Sequence, residues 1–94
     1  MDIVTADISA QNTFTNGLYL RGDFSLSIAG TFSGTVTVQR SFDGTTWADV
    51  DTFTSAYEGN GYEGVGCQYR AGIKTGDYTS GTASVTLREN DFGK

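Results

Sequence analysis

The chain has 94 residues, with six Lys and Arg against 11 Asp and Glu and no His, so it carries a formal charge of −5 at pH 7 and has room for one domain. The missing histidine excludes imidazole general-base catalysis, Ser-His triads and His-ligated zinc, and the single cysteine excludes an internal disulfide and four-cysteine metal sites. The acidic balance, with no basic patch visible in the sequence, argues against nucleic-acid binding, and composition predicts a small acidic β-domain without a cofactor.

The N-terminal segment shows no basic region followed by an apolar run, which predicts that no signal peptide is present and that synthesis is cytoplasmic. The longest uncharged stretch, residues 24–39, contains two glycines and many Ser and Thr residues, which argues against a membrane span. Residues 1–13 are predicted to form an N-terminal arm or an edge strand, and residues 14–94 the β-sandwich domain.

Apolar and polar residues alternate in three segments, 24–29, 35–39 and 83–87, which is typical of strands with one buried face. No window of ten residues has helical periodicity, and 13 glycines punctuate the chain. The fold class is therefore predicted to be all-β, a single small antiparallel β-sandwich of about seven short strands or a small barrel. Weaker strand patterns cover Ile3–Ile8, Phe14–Leu20, Thr46–Phe53 and Cys67–Ile73.

Residues 35–42 and 46–53 are predicted to pair as a hairpin around Asp43-Gly44. Glycine accepts a positive φ, and the Asp carboxylate accepts hydrogen bonds from the N–H groups that follow it. Residues 41–47 resemble a shortened Asp-box, the structural hairpin of sialidases and related propellers, in which the Asp orders the turn and the Trp packs beneath it. The resemblance implies no hydrolase, and it implies structural roles for Asp43, Gly44 and Trp47.

Two further residues in β-patterned stretches are given structural interpretations. Arg40 falls on the same predicted face as Val36 and Val38, so we expect it at the sheet rim or paired with an Asp rather than in contact with a ligand. Cys67 is predicted to be a small buried apolar group.

Residues 55–66 are predicted to be a flexible loop, because four of the eight residues from 59 to 66 are glycine. Residues 59–64 match the pattern G-x-G-x-x-G, but no strand–helix unit surrounds them, so no dinucleotide site is expected. Acidic side chains here and nearby are interpreted as solvated surface charges rather than as a carboxylate pair or a calcium site. They are Glu58, Glu63, Asp49, Asp51 and Asp77. No catalytic residue, no metal site and no enzymatic activity are therefore predicted.

Four tyrosines, Tyr57, Tyr62, Tyr69 and Tyr78, concentrate on or beside Gly-rich stretches of the second half. They are candidates for an interface, because the ring buries area while the hydroxyl keeps a hydrogen bond. The alternative places Tyr69 and Tyr78 in the core and at a sheet edge. The predicted contact residues are Ile3, Val4, Ile8, Tyr57 and Tyr62.

Over most of its length the chain combines a low-complexity strand, a Q-R-S-x-D-G-x-x-W hairpin, a Y-R strand and a Y-x-S-G-T-A segment. These features lie at residues 24–30, 39–47, 69–70 and 78–83. In them the chain resembles small β-rich virion structural proteins of tailed bacteriophages. The resemblance implies a non-enzymatic capsid cement or decoration protein on the outer capsid surface, or a head-fibre or tail component.

The implied partners are the major capsid protein of a phage and further copies of this chain. A trimer is favoured, because icosahedral lattices offer many three-fold positions. Residues 1–13 are the expected anchor, so deleting the first 12 residues should leave the fold largely intact and weaken attachment. The competing interpretation is a carbohydrate-binding module in which Trp47 and the loop tyrosines stack on sugar rings. An exposed, coplanar row of aromatics would favour the glycan, whereas aromatics buried in a core or interface would favour the cement protein.

Overall fold

The computed structural model describes residues 3–90, and within them the chain forms nine strands and no helix. The strands are β1 (Ile3–Ile8), β2 (Thr13–Phe14), β3 (Leu18–Ala29), β4 (Phe32–Gly34), β5 (Val36–Ser41), β6 (Ala48–Phe53), β7 (Tyr57–Ile73), β8 (Tyr78–Gly81) and β9 (Ala83–Glu89). One seven-stranded sheet has the order β1-β9-β3-β7-β5-β6 with β2 beside β7, and β4 pairs with β8 in a second sheet. Every pairing is antiparallel, which confirms the predicted all-β sandwich class.

The longest strand, β7, runs through the segment that was predicted to be a flexible loop, so that prediction is wrong. Gly59 and Gly61 lie opposite Leu26 and Phe24 in β3. A side chain at Gly61 would collide with the ring of Phe24, and one at Gly59 would collide with the ring of Tyr57. These glycines therefore provide space for aromatic rings that cross the strand.

The two longest strands, β3 and β7, are both irregular at one position of their shared ladder. Leu20 of β3 pairs with Cys67 of β7, but Gly22 pairs with Glu63, so three residues of β7 lie opposite one residue of β3. Gly22 has a φ angle of +83°, a left-handed conformation that favours glycine. A β-bulge of this kind bends the strands that contain it. We call this region, residues 20–22 of β3 and 63–67 of β7, the corner.

The two halves of the sheet meet face to face because the strands fold at the corner. Tyr69 pairs with Leu18, six residues before Phe24 on β3. In a straight strand that separation would be about 20 Å. The ring centroids of Phe24 and Tyr69 are nevertheless only 4.9 Å apart. The bend therefore turns one continuous sheet into the two layers of a small sandwich.

A single apolar core fills the space between the layers, and it draws on β1, β3, β5, β7 and β9. Its members occupy alternate positions in these strands, as the period-two pattern predicts. The largest completely enclosed apolar side chains are Ile8, Leu20, Ile28, Ile73, Leu87, Val36 and Val85. Full burial of such a side chain stabilises the fold by about 1.5–3 kcal/mol.

The N-terminal segment is the edge strand of the sheet, since β1 pairs with β9 over six residues. Ile8 is 0% exposed in the chain's own core, so the prediction that it contacts a partner is wrong. Val4 is half-buried against the core, whereas Ile3 is 57% exposed. The expectation that this segment contributes little to the fold is corrected for the same reason.

Deleting residues 1–12 should lower the free energy of unfolding by more than about 3 kcal/mol, because the deletion removes the buried Ile8 side chain and the whole β1–β9 ladder. Urea denaturation followed by circular dichroism measures the change. The Ile3→Ser variant is the control and should shift the free energy by less than about 0.5 kcal/mol. An unchanged midpoint for the truncated chain would show that β1 is a dispensable arm.

Candidate functional site

At the inner side of the corner lies a buried carboxylate, that of Glu63, which is only 3% exposed. Its Oε1 accepts hydrogen bonds from the Tyr69 hydroxyl at 2.7 Å and from Arg40 Nη1 at 3.0 Å. Its Oε2 accepts hydrogen bonds from the backbone N–H groups of Val65 at 3.1 Å and Gly66 at 3.4 Å. The prediction that Glu63 is a solvated surface charge is wrong, because the bulge turns its carboxylate inward onto these donors.

The hydrogen bonds at the corner fix the protonation of its groups. The bond from Tyr69, together with those from the backbone of Val65 and from Arg40, lowers the pKa of Glu63 to about 2. Burial and the nearby carboxylate raise the pKa of Tyr69 to about 12. Burial also raises the pKa of the Cys67 thiol. A carboxylate this acidic is a weak general base, so the cluster suits a structural role.

Arg40 links the corner to the neighbouring hairpin. We predicted a place at the sheet rim or a pairing with an Asp; the partly exposed Arg40 has a structural ion pair, but with Glu63, and its guanidinium lies 5.4 Å from the ring centre of the exposed Phe42. The neighbouring Tyr69 hydroxyl and Glu63 carboxylate raise the pKa of Arg40.

The Asp43 turn is held by short hydrogen bonds. Asp43 Oδ1 accepts hydrogen bonds from the backbone N–H groups of Thr45 and Thr46, both at 2.8 Å. The Ser41 hydroxyl donates to the same oxygen at 2.9 Å. These bonds, those from Thr46 and Thr45 first, hold the pKa of Asp43 well below its usual range. Gly44 follows with a φ of +82°, which only glycine adopts readily.

Trp47 is half-buried beside this turn, and a cation covers its ring. The guanidinium carbon of Arg70 lies 4.3 Å from the ring centre of Trp47 and 4.3 Å from that of Phe14. Arg70 Nε also donates to Gln39 Oε1 at 2.9 Å. Trp47 and Phe14 thus form, with Arg70, an outer cover over the buried polar side chains of β5.

An exposed apolar patch lies on the outer side of the corner. Tyr19, Tyr62 and Val65 are 54%, 71% and 72% exposed, and we call these three residues the corner patch. The Tyr19 ring crosses Gly66, and the Tyr62 ring lies against Gly64. A shallow depression of about 470 Å³ opens beside Tyr19 and Tyr62. Of these three residues, only Tyr62 was predicted from the sequence as a contact residue. The alternation of Tyr19 with Leu18 and Leu20 nevertheless predicts that the Tyr19 side chain points outward.

A second cavity, about 160 Å³ in volume, opens between β6 and the first part of β7. We call it the aromatic slot, and its walls include Phe24, Phe53, Tyr57, Tyr62 and Tyr69. The rings of Phe53 and Tyr57 stack with centroids 4.3 Å apart. Tyr62 lines both the slot and the depression at the corner patch. Tyr57 and Tyr62, the two tyrosines predicted as contact residues, are thus both accessible.

The remaining predicted residues are spread over the fold. Tyr69 is buried, and the half-buried Tyr78 donates its hydroxyl hydrogen to the carbonyl of Gly81 at 2.9 Å, as the core and sheet-edge interpretation predicts. Within residues 3–90 no three Cys, Asp or Glu side chains are grouped as metal ligands. The same residues include no helix with the length and hydropathy of a membrane span.

Comparisons with known protein families, with curated proteins and with solved structures found no match to this chain. What the chain does is therefore inferred from its own surfaces. Two of them, the corner patch and the aromatic slot, expose apolar side chains on a rigid sheet. Contiguous exposed apolar surfaces are candidates for interaction sites.

Replacing Glu63 with Gln should destabilise the fold at pH 7 by about 2 kcal/mol, because a neutral amide cannot satisfy all the donors that face it. The pKa of Glu63 is lowered to about 2 in the folded chain, so its stabilising effect is present above the ordinary pKa of 4.5 and is lost as pH falls toward 2.

Urea unfolding at pH 7, 4 and 2.5 tests this expectation. The difference in the free energy of unfolding between the native chain and Glu63→Gln should shrink as the pH falls. The exposed Glu58 provides the control variant Glu58→Gln. A difference that stays constant over the whole pH range would contradict a buried ionised Glu63.

Replacing Trp47 with Ala should lower the free energy of unfolding by about 2 kcal/mol, less than for a fully buried Trp, because the ring is only half-buried. The Arg70→Met variant should shift the Trp47 fluorescence maximum while retaining most of the stability. An Ala variant with unchanged stability would show that Trp47 belongs to a ligand surface instead of the hairpin.

Proposed function

We propose that the chain is a non-enzymatic structural protein of a bacteriophage virion, a capsid cement or decoration protein that binds the outer capsid surface. The sequence resemblance over residues 24–88 supports this assignment. On the molecule itself, the observation that supports it best is the corner patch. The protein partners in this proposal are the major capsid protein and further copies of the chain, with a trimer as the favoured oligomer.

The corner patch has the composition and the rigidity of a protein-contact surface. Tyrosine is enriched in interfaces, because its ring buries area and its hydroxyl keeps a hydrogen bond. The Tyr19 ring lies across Gly66 and the Tyr62 ring against Gly64, both in the bulge, and these contacts limit the motion of the two rings before a partner arrives. A rigid contact surface loses less conformational entropy on binding. On a symmetric particle, many copies that each bind weakly give strong overall attachment through avidity.

The β1 edge offers a second contact for a neighbouring copy or a capsid subunit. β1 is the outermost strand of its sheet within residues 3–90, and Ile3 is exposed there. A neighbouring strand added to such an edge forms main-chain hydrogen bonds across the contact. Ile3 and the half-buried Val4 remain proposed contact residues on this strand.

The carbohydrate-binding alternative has less support from the arrangement of the aromatic rings. Arg70 covers Trp47, and Phe53 and Tyr57 stack on each other, so these rings do not offer free faces in a common plane. Tyr62 is the most exposed aromatic side chain in the described part of the chain. Tyr19 and Phe42 are exposed as well, but Phe42 borders a different depression from Tyr19 and Tyr62, so these rings do not share one surface.

A binding assay with emptied, expanded capsids, assembled from the major capsid protein encoded in the same phage genome, tests this proposal. The purified chain should decorate them and sediment with them, and light scattering should give three times the monomer mass. Tyr62→Ser combined with Val65→Ser should weaken attachment at least about tenfold, equivalent to about 1.4 kcal/mol.

The control is Phe42→Ser, which removes an exposed aromatic outside the corner patch and should leave attachment unchanged. Unchanged attachment of the double variant would remove the corner patch from the contact. If the chain stays monomeric, does not bind capsids and binds an oligosaccharide, it is a carbohydrate-binding module and not a cement protein.

A further inference from the structure

We propose that the aromatic slot binds an extended segment of another protein, which adds as a strand along the free edge of β7 and places one apolar side chain, flanked by a Lys or Arg, into the slot. The inference concerns the slot alone and stands whether or not the partner belongs to a virion. Its basis is the combination of unpaired strand edges, cavity size and charge on the two sides of the slot.

The slot lies between two strand edges without partners in residues 3–90. Residues 57–63 and Cys67 of β7 pair with β3 on one side, and pairing with β5 on the other side begins only at Gln68. β6 pairs with β5 and is the last strand of the sheet at that end. Such edges present backbone N–H and C=O groups that an added strand can satisfy.

The size of the slot matches one apolar side chain. Its volume of about 160 Å³ is close to that of an apolar cavity that holds a benzene ring, roughly 150 Å³. Phe24 and Leu26 from one layer and Val38 from the other line it, so an inserted side chain would reach the core. Gly59 and Gly61 also line the slot, which places the β7 backbone in its wall.

The charge at the slot favours a basic segment. Asp51 lines the slot and is exposed, and its carboxylate accepts a hydrogen bond from the N–H of Thr52 at 2.9 Å. The nearby Asp49, in contrast, is already paired with Lys74 at 2.8 Å. A Lys or Arg beside the inserted side chain would pair with Asp51 at the mouth of the slot. Because the chain itself carries −5, a basic partner is favoured over a second copy.

A segment in this position would extend the surface described above. Tyr62 stands at the end of the slot and also borders the depression at the corner patch. A strand running along residues 57–62 would therefore leave the slot on the side of Tyr19. The slot would supply the apolar anchor for the inserted side chain.

Titration of the labelled protein with two synthetic peptides tests the proposal by amide NMR shifts. The first probe is acetyl-Lys-Thr-Phe-Thr-Lys-amide, and the second is its charge-reversed form, acetyl-Glu-Thr-Phe-Thr-Glu-amide. The basic peptide should shift the amides of residues 48–53 and 57–62 and bind at least about tenfold more tightly than the acidic one, about 1.4 kcal/mol.

Two variants separate the slot from the rest of the surface. Asp51→Asn should weaken binding of the basic peptide about fivefold. Val50→Ser alters an exposed slot residue and should weaken binding of both peptides. Asp7→Asn on the far edge strand and Val65→Ser in the corner patch should change neither titration. Both slot residues are exposed, so the unshifted remainder of each spectrum reports an intact fold.

Equal binding of the two peptides, or shifts confined to residues that do not line the slot, would overturn the proposal. Concentration-dependent shifts of the same amides in the chain alone would assign the slot to a second copy and would overturn it as well. Loss of capsid binding in Val65→Ser with peptide binding retained would support the slot as a separate site. If the chain binds neither peptide but still decorates capsids, the proposal that the slot binds a peptide is overturned and the proposed function stands.

Discussion

A carboxylate removed from water is tolerated only when it stays ionised and its oxygens are hydrogen-bonded. Glu63 meets both conditions because β7 bulges beside it, which brings two backbone N–H groups, the Tyr69 hydroxyl and Arg40 to the same carboxylate. The same bulge folds β3 and β7 so that Phe24 meets Tyr69. Core, corner patch and aromatic slot all depend on that bend, because each combines residues from both sides of it.

Glycine and tyrosine act together in shaping the two binding surfaces. Where β7 carries glycine, an aromatic ring lies across the strand, as Tyr19 does over Gly66 and Phe24 over Gly61. Phe24 is thereby buried in the core and lines the aromatic slot, whereas Tyr19 stays exposed over the bulge at the corner. This arrangement also explains how a chain without helices or long loops in residues 3–90 can present a cavity, a flat patch and free strand edges close together.

Local patterns in the sequence predicted much of the architecture, because alternation and turn chemistry are local. They located β1, β5, β6 and β9 and the turn at Asp43. They failed between residues 57 and 66, where the glycine content indicates a loop. The ring that fills the space beside these glycines belongs to Phe24, more than 30 residues away, so no local pattern shows it. They failed at Glu63 for the same reason, since its donors come from β5 and from a bulge that no short-range pattern signals. The aromatic slot combines four strands and leaves no signature in any one of them.

The hydrogen bond from Tyr69 to Glu63 joins the two layers at the corner. Its contribution can be measured with a double-mutant cycle of Glu63→Gln, Tyr69→Phe and the double variant, using urea unfolding at pH 7. Charge-assisted hydrogen bonds of this kind are worth about 1.5–3 kcal/mol, so we expect a coupling free energy of at least about 1.5 kcal/mol. A coupling energy near zero, with the two single changes simply additive, would contradict this expectation.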